Sequence, residues 1–195
     1  LMTLLIMLEA VEAQRIALSD MVKITDEVAR IGGSQAYLDP RESFTVDEML
    51  YAMIVHSAND AARALSLHIS GSREAFVKIM NRRAREIGMN ATVYHTDNGL
   101  PPGNGRQPDI STAYDIALLC MEVLKHPLAL RYTGTELSYL RNGKFMLATR
   151  NELIKRVGGY KGCDGLKTGY HSAGGWSIAA TARHGGQRII AVVLG

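Results

Sequence analysis

The chain is poor in cysteine, proline and aromatic side chains: two cysteines, five prolines, one tryptophan and 6% aromatics in 195 residues. Two thiols exclude a disulfide framework. Cys120 sits among Ala117, Leu118, Leu119 and Met121 and reads as a core thiol, while Cys163 has no His-Cys pattern around it that would make a nucleophile. Long hydrophobic runs are missing too. The most apolar stretch, residues 1–8, is cut by Glu9 and Glu12, far short of the ~20 residues of a membrane span. It also lacks the basic lead and small-residue cleavage site of a signal peptide. No charge of one sign dominates: 22 basic and 19 acidic residues interleave for a net +3. The short cluster Arg82, Arg83, Arg85 has no aromatic interleaving and reads as a solvated helix face, so no nucleic-acid partner is expected. His56, His68, His95, His126 and His184 show no metal-ligand spacing, so neither a metal nor another cofactor is expected.

What is present suffices for a core, since 47% of the residues are hydrophobic and the length suits one domain. Residues 1–14 are apolar nearly all round, as in a central helix packed on several sides, and they lack an N-cap, so the expectation is a helix whose first turns precede Leu1. Residues 19–26 and 32–34 read as turns and loops. Thr45 and Glu48 form a capping box ahead of Val46, Met49, Leu50, Met53 and Ile54 at helical spacing, a helix that stops near His56. A second helix restarts with Asn59 or Asp60 as cap, and Ser72 caps a third that ends at Gly88. Residues 89–110, rich in Gly, Pro and Asn, form a long connection of the functional or flexible kind, after which Ser111 or Thr112 opens a helix to about Lys125.

The period then changes. Residues 136–140 and 145–149 flank Arg141-Asn142-Gly143-Lys144, a strong hairpin signal. A short helix at 151–156 precedes strands at 165–170, 176–183 and 188–194, the last two joined at Gly185-Gly186. A helical part over about 1–134 and a sheet part over about 135–195, with helix 1–14 packed against the sheet, make an α+β domain.

Two stretches carry chemistry. Lys167-Thr168-Gly169, on a predicted strand, lines up a cation, a hydroxyl and a residue without a side chain, a cradle for a ligand carboxylate. Strand alternation sends Lys167 and Thr168 to opposite faces, so both serve one cleft only from an edge strand turned toward it. Ser57-Ala58-Asn59 sets a hydroxyl and an amide two residues apart on a tight link between helices. Taken alone, Ser57 and Asn59 are ordinary helix caps.

Together, Ser-x-Asn followed about a hundred residues later by Lys-Thr-Gly resembles the second and third signatures of the serine penicillin-recognising enzymes. The run from Leu50 to Ala62, the helix from Met80-Asn81 to Ile87-Gly88-Met89, the turn Asn98-Gly99-Leu100 and the run from Asp164 to Tyr170 are similar to the corresponding segments of D-alanyl-D-alanine carboxypeptidases, the low-molecular-mass penicillin-binding proteins. The resemblance covers essentially the whole chain. It implies the serine β-lactamase/DD-peptidase-like transpeptidase fold, truncated at both ends. It also implies removal of the terminal D-alanine from peptidoglycan pentapeptides through an acyl-enzyme that β-lactams mimic.

The family's first signature, Ser-x-x-Lys, occurs nowhere in the sequence. In the family it is followed at once by a segment like Leu1-Met2-Thr3-Leu4-Leu5, so the nucleophilic serine and its lysine are expected just upstream of Leu1. The 195 residues alone are then inactive.

Residue by residue, the resemblance makes Ser57 a proton relay and Asn59 a donor to the substrate's amide carbonyl. Lys167 supplies positive charge near Ser57 and the terminal carboxylate, and Thr168 hydrogen-bonds that carboxylate. Gly169 permits close approach, and the Tyr170 backbone N–H supplies one oxyanion donor. His171 stands where relatives often have Thr and reads as a solvated side chain.

A class A β-lactamase uses a Glu after Ser-x-Asn to activate the deacylating water; between Ile87 and Ile110 there is no Glu, only Asp97 and Asp109, which favours slow deacylation. A DD-endopeptidase of the same fold and a catalytically inactive muropeptide-binding domain are the alternatives. The implied partners are peptidoglycan stem peptides and β-lactams. The implied location is the periplasm or outer face of the cytoplasmic membrane, with any membrane anchor outside these residues.

Overall fold

The computed structural model describes every residue except 102–104, 106 and 173. Its deepest element is α1 (Met2–Glu12), in which Met2 through Leu8 and Ala10 are all buried, leaving its first two turns no solvated face. It lies among α4 (Asn59–Ser70), α5 (Arg73–Glu86) and α6 (Ala113–Val123), and Phe76, Met80, Leu119 and Cys120 join the same core. Burial pushes the Cys120 thiol up to about 11, so it stays protonated as a packing group.

The arginine cluster on α5 divides. Arg82 is exposed, but Arg83 is not part of a solvated face: it bonds Glu9 of α1 and Glu122 of α6, each at 2.7 Å, and ties three helices together.

Residues 19–26 are not simply turns. Met21–Lys23 forms β1, antiparallel to β2 (Ser43–Thr45), and Thr25 caps the one-turn α2 (Asp26–Ala29). The buried pair Val22 and Phe44 faces across this ribbon. Three-residue strands are too short to show an alternation in sequence.

Thr45 and Glu48 make the expected capping box at the start of α3 (Val46–Val55). The caps expected for α4 are absent: its N-cap is Ala58, with no side-chain bond. Asn59 and Asp60 are already helical. The Asp60 carboxylate instead accepts hydrogen bonds from the backbone N–H of Ala36 and Leu38, pinning the preceding loop to α4.

Ser72 and Thr112 cap α5 and α6 as expected, and Gly88 follows α5 in the left-handed region, φ 82°. The long connection at 89–110 is tied at both ends. Val93 and Ile110 exchange backbone bonds, and Asp109 accepts from the N–H of His95 and Thr96; its residues 102–104 and 106 lie outside the described ones.

A further short helix, α7 (Ala129–Thr133), was not foreseen; it buries Tyr132, whose hydroxyl donates to Asp47 at 2.6 Å. The hairpin pairs β3 (Leu137–Leu140) with β4 (Phe145–Ala148) around a four-residue loop in which Arg141, Asn142 and Gly143 all have positive φ. Arg141 uses that turn to reach Glu42 and the carbonyls of Ala36 and Tyr37. The expected helix at 151–156 shrinks to a 3₁₀ turn, Glu152–Ile154.

The last three strands, β5 (Cys163–His171), β6 (Gly175–His184) and β7 (Gln187–Val193), form an antiparallel sheet in that order. Ile190 and Val192 pack toward the core, where α6 meets β7. Among the described residues no strand pairs with the other side of β5, so the Lys-Thr-Gly segment lies on an edge, as the cleft requires.

Candidate active site

Ser57 occupies the turn between α3 and α4 with φ 60°, a left-handed conformation that costs a non-glycine residue ~1–2 kcal/mol. The turn is held by Ala58 N–H donating to the Ala52 carbonyl at 3.1 Å and Asn59 N–H donating to the Ser34 carbonyl at 2.8 Å. Held this way, the Ser57 hydroxyl meets β5: Lys167 Nζ donates to Ser57 Oγ at 3.0 Å and to the Thr168 carbonyl at 2.7 Å.

Lys167 is partly buried by residue surface, and its ammonium is out of bulk water. Desolvation first, then the charge of Arg150, lowers its pKa to about 8. No carboxylate forms an ion pair with it among the described residues. A lysine so placed exchanges a proton with a neighbouring hydroxyl near neutral pH far more readily than a solvated one.

The same bonds orient the strand. The Thr168 carbonyl is taken by Lys167 on the Ser57 side, whereas the Gly169 carbonyl accepts from Ser177 on β6. In an antiparallel strand a residue's N–H and C=O point the same way, and residues two apart share that direction. The N–H groups of Thr168 and Tyr170 therefore face the open edge of β5. The Lys167 Nζ reaches that same edge, where it bonds Ser57 Oγ and the Thr168 carbonyl, although strand alternation parts its side chain from that of Thr168.

Asn59 is almost fully buried, and its side-chain Nδ2 donates to the Gly32 carbonyl at 3.3 Å. Beneath it lies Gly33, with φ 79°; a Cβ there would sit 2.7 Å from Asn59 Nδ2 and 3.2 Å from the Leu100 side chain. Leu100 follows Asp97, whose buried carboxylate holds Arg63 and Ser66 of α4 and whose carbonyl accepts from Thr3 of α1. The floor under Asn59 is thus fixed to two helices.

Sequence reasoning passed over three residues of this site. Gly33 and Ser34 looked like an ordinary loop, and Arg150 carried no motif. Arg150 donates to Ser34 Oγ at 2.9 Å, and Ser34 Oγ donates to the His56 carbonyl at 3.2 Å, so the end of the hairpin braces the turn that carries Ser57. Burial and the Arg150 charge also hold His56 below the usual histidine range. Nothing local in the sequence signals this three-part contact, because its members lie far apart in the chain. His171 differs from expectation as well: it is partly buried, and its Nδ1 accepts the Gly174 N–H at 2.9 Å, bracing the turn into β6.

The geometry therefore brings a hydroxyl, a low-pKa lysine and outward strand amides to one edge, with the buried Asn59 amide two residues beyond that hydroxyl, bonded to the Gly32 carbonyl. The D-alanyl-D-alanine carboxypeptidase family model matches residues 1–195. The chain belongs to the D-alanyl-D-alanine carboxypeptidase family.

It is 41% identical over 198 residues to the D-alanyl-D-alanine carboxypeptidase DacF of Bacillus subtilis (strain 168), covering 100% of this chain and 49% of that protein. It is 33% identical over 202 residues to the D-alanyl-D-alanine carboxypeptidase DacC of Escherichia coli (strain K12), covering 100% and 48%. Among solved structures, it matches penicillin-binding protein D2 of Listeria monocytogenes in its ampicillin-bound form with a TM-score of 0.85 at 30% identity, over 99% of this chain and 76% of that one. The fold is accordingly that of the penicillin-binding DD-peptidases, an α+β arrangement. The chain spans about half the length of the curated relatives it matches.

Proposed function

We propose that the full-length protein is a serine-type D-Ala-D-Ala carboxypeptidase that removes the terminal D-alanine of peptidoglycan stem peptides through an acyl-enzyme and is acylated by β-lactams. The observation that carries the reading is the 3.0 Å contact between Lys167 Nζ and Ser57 Oγ on a strained turn, beside outward-facing strand amides.

In this reading Lys167 and Thr168 receive the substrate's terminal carboxylate, the Tyr170 N–H polarises the scissile carbonyl, and Asn59 binds the acyl-side amide. Ser57, hydrogen-bonded to Lys167, passes a proton toward the departing D-alanine nitrogen. The attacking serine is assigned to a Ser-x-x-Lys element that the 195 residues do not contain. The absence of a Glu between Ile87 and Ile110 supports a long-lived penicilloyl adduct. Cell-wall peptide lies beyond the cytoplasmic membrane, so the protein acts there.

The test uses the full-length protein with a labelled penicillin and a synthetic pentapeptide ending in D-Ala-D-Ala. A stable covalent adduct and release of free D-alanine are the expected results. Release without an adduct overturns the proposal; the absence of both overturns it and favours a non-catalytic muropeptide-binding domain.

A further inference from the structure

The outer face of α5 carries a groove that no role above uses. One cleft of about 530 Å³ runs between α5 and the connection that follows it, lined by Val77, Lys78, Asn81, Arg85, Asn90 and Val93 among others. A second, of about 560 Å³, shares Val77 and Lys78 with the first and reaches Arg73, Glu74 and His95, so the two make one track along the helix. Its loop wall is fixed: Asn81 Nδ2 donates to the Tyr94 carbonyl at 2.7 Å, and Asn81 Oδ1 accepts the Tyr94 N–H at 2.8 Å.

The charge of the track is one-sided. No carboxylate pairs with Arg73, Lys78 or Arg85 among the described residues, whereas the neighbouring Arg82 and Arg83 both reach Glu86. The carboxylates behind the loop are taken: Asp115 accepts from the Ala91 N–H and the Thr92 hydroxyl, and Asp109 from the N–H groups of His95 and Thr96. That leaves Glu74 to face the three cations. Val77 and Val93 lie between the charges, and Val93 is 45% exposed. Such a surface suits a chain that carries carboxylates and small apolar groups together.

Its position relates it to the candidate cleft without joining the two. His95 lines the track, Leu100 packs against Gly33 beneath Asn59, and residues 95–100 span at most about 18 Å of chain. In the proposed reaction every stem peptide, before or after trimming, ends in a D-alanine carboxylate, and neighbouring stems hang from one glycan strand.

We propose that the α5 groove holds a neighbouring stem peptide of the strand being trimmed, with its carboxylates at Arg73, Lys78 and Arg85 and its alanyl methyls on Val77 and Val93, so that the enzyme favours stems on a polymer over free ones. This rests on the carboxypeptidase reading. The groove is a binding surface away from the β5 edge, and none of its residues takes part in proton transfer.

The experiment measures D-alanine release by the full-length protein, as kcat/KM per stem, from a free pentapeptide and from uncross-linked glycan strands bearing the same pentapeptide. The unmutated protein is expected to prefer the strands. Lys78→Gln combined with Arg85→Gln is expected to lower kcat/KM for the strands by about tenfold and to leave the free peptide unchanged, while Arg82→Gln, on the adjoining face of α5, changes neither. No preference for strands, an unchanged preference in the double variant, an equal loss on both substrates, or the same loss from Arg82→Gln each overturns the proposal; the last marks a general attraction to positive surface. Failure of the unmutated protein to trim either substrate overturns the carboxypeptidase reading itself and this proposal with it, so the two failures are distinguishable.

Discussion

Lys167 is a lysine whose charge is expensive where it stands. With its pKa lowered to about 8 in the folded chain against 10.5 for the free side chain, the unfolded state binds more protons between those values. Stability must then rise with pH through that window: the desolvation cost is fully present below pH 8 and is gone above 10.5. Relative to Lys167→Met, which carries no charge to desolvate, the unmutated chain is expected to gain about 2 kcal/mol between pH 7 and pH 9.5. Urea unfolding of both at a series of pH values measures it, and parallel curves would show that the lysine is not desolvated.

Ser57 poses the complementary question of backbone strain. Its φ of 60° is uncomfortable for any residue with a Cβ. Ser57→Ala and Ser57→Gly both remove the hydroxyl that Lys167 reaches, but only glycine relieves the turn. Ser57→Gly is expected to be the more stable of the two by about 1 kcal/mol, while both forfeit penicillin acylation in the full-length protein. Equal stabilities would mean that the turn stores no strain.

At the scale of elements, the wall that carries Asn59 is built from a loop, a helix start and a distant turn, and Gly33 is where the three meet. Gly33→Ala adds a Cβ 2.7 Å from Asn59 Nδ2 in a left-handed backbone. Relief by moving Asn59 is easier than moving Leu100 and the Asp97 anchor beneath it. Acylation of the full-length protein is therefore expected to slow by roughly tenfold or more, with a stability loss of about 1–2 kcal/mol. A variant that acylates at the normal rate would remove Asn59 from the proposed site.

The same wall shows what the sequence can and cannot disclose. Local rules sufficed for the capping box at Thr45, the caps at Ser72 and Thr112 and the three terminal strands, because each depends on residues within one turn or one ladder. Ser57, Asn59 and Lys167 were legible only as a spaced combination. Asp60 and Arg83 looked like a cap and a surface charge; their partners, Ala36, Leu38, Glu9 and Glu122, are brought to them by the tertiary fold alone. Arg150 and Ser34 were invisible for the same reason.

At the scale of the molecule, the candidate cleft lies between the helical and sheet parts and belongs to neither. Its floor comes from the α3–α4 turn and the loop at 32–34, and its edge from β5. Lys167 bonds Ser57 across the cleft, Arg150 bonds Ser34, and α7 packs on β5. A ligand held by both walls must therefore quench opening of both at once, since each wall's local unfolding would expose the other's contacts.

Hydrogen exchange of the full-length protein with and without a covalent penicillin is expected to show added protection at 32–34 and 57–59 together with 168–170. Amides in the middle of α5, on the far side of α1, should be unchanged. Protection confined to β5 would mean that the ligand lies on the strand alone and that Ser57 and Asn59 do not face it. Protection spread evenly over the chain would report general stabilisation by ligation instead of a two-walled cleft.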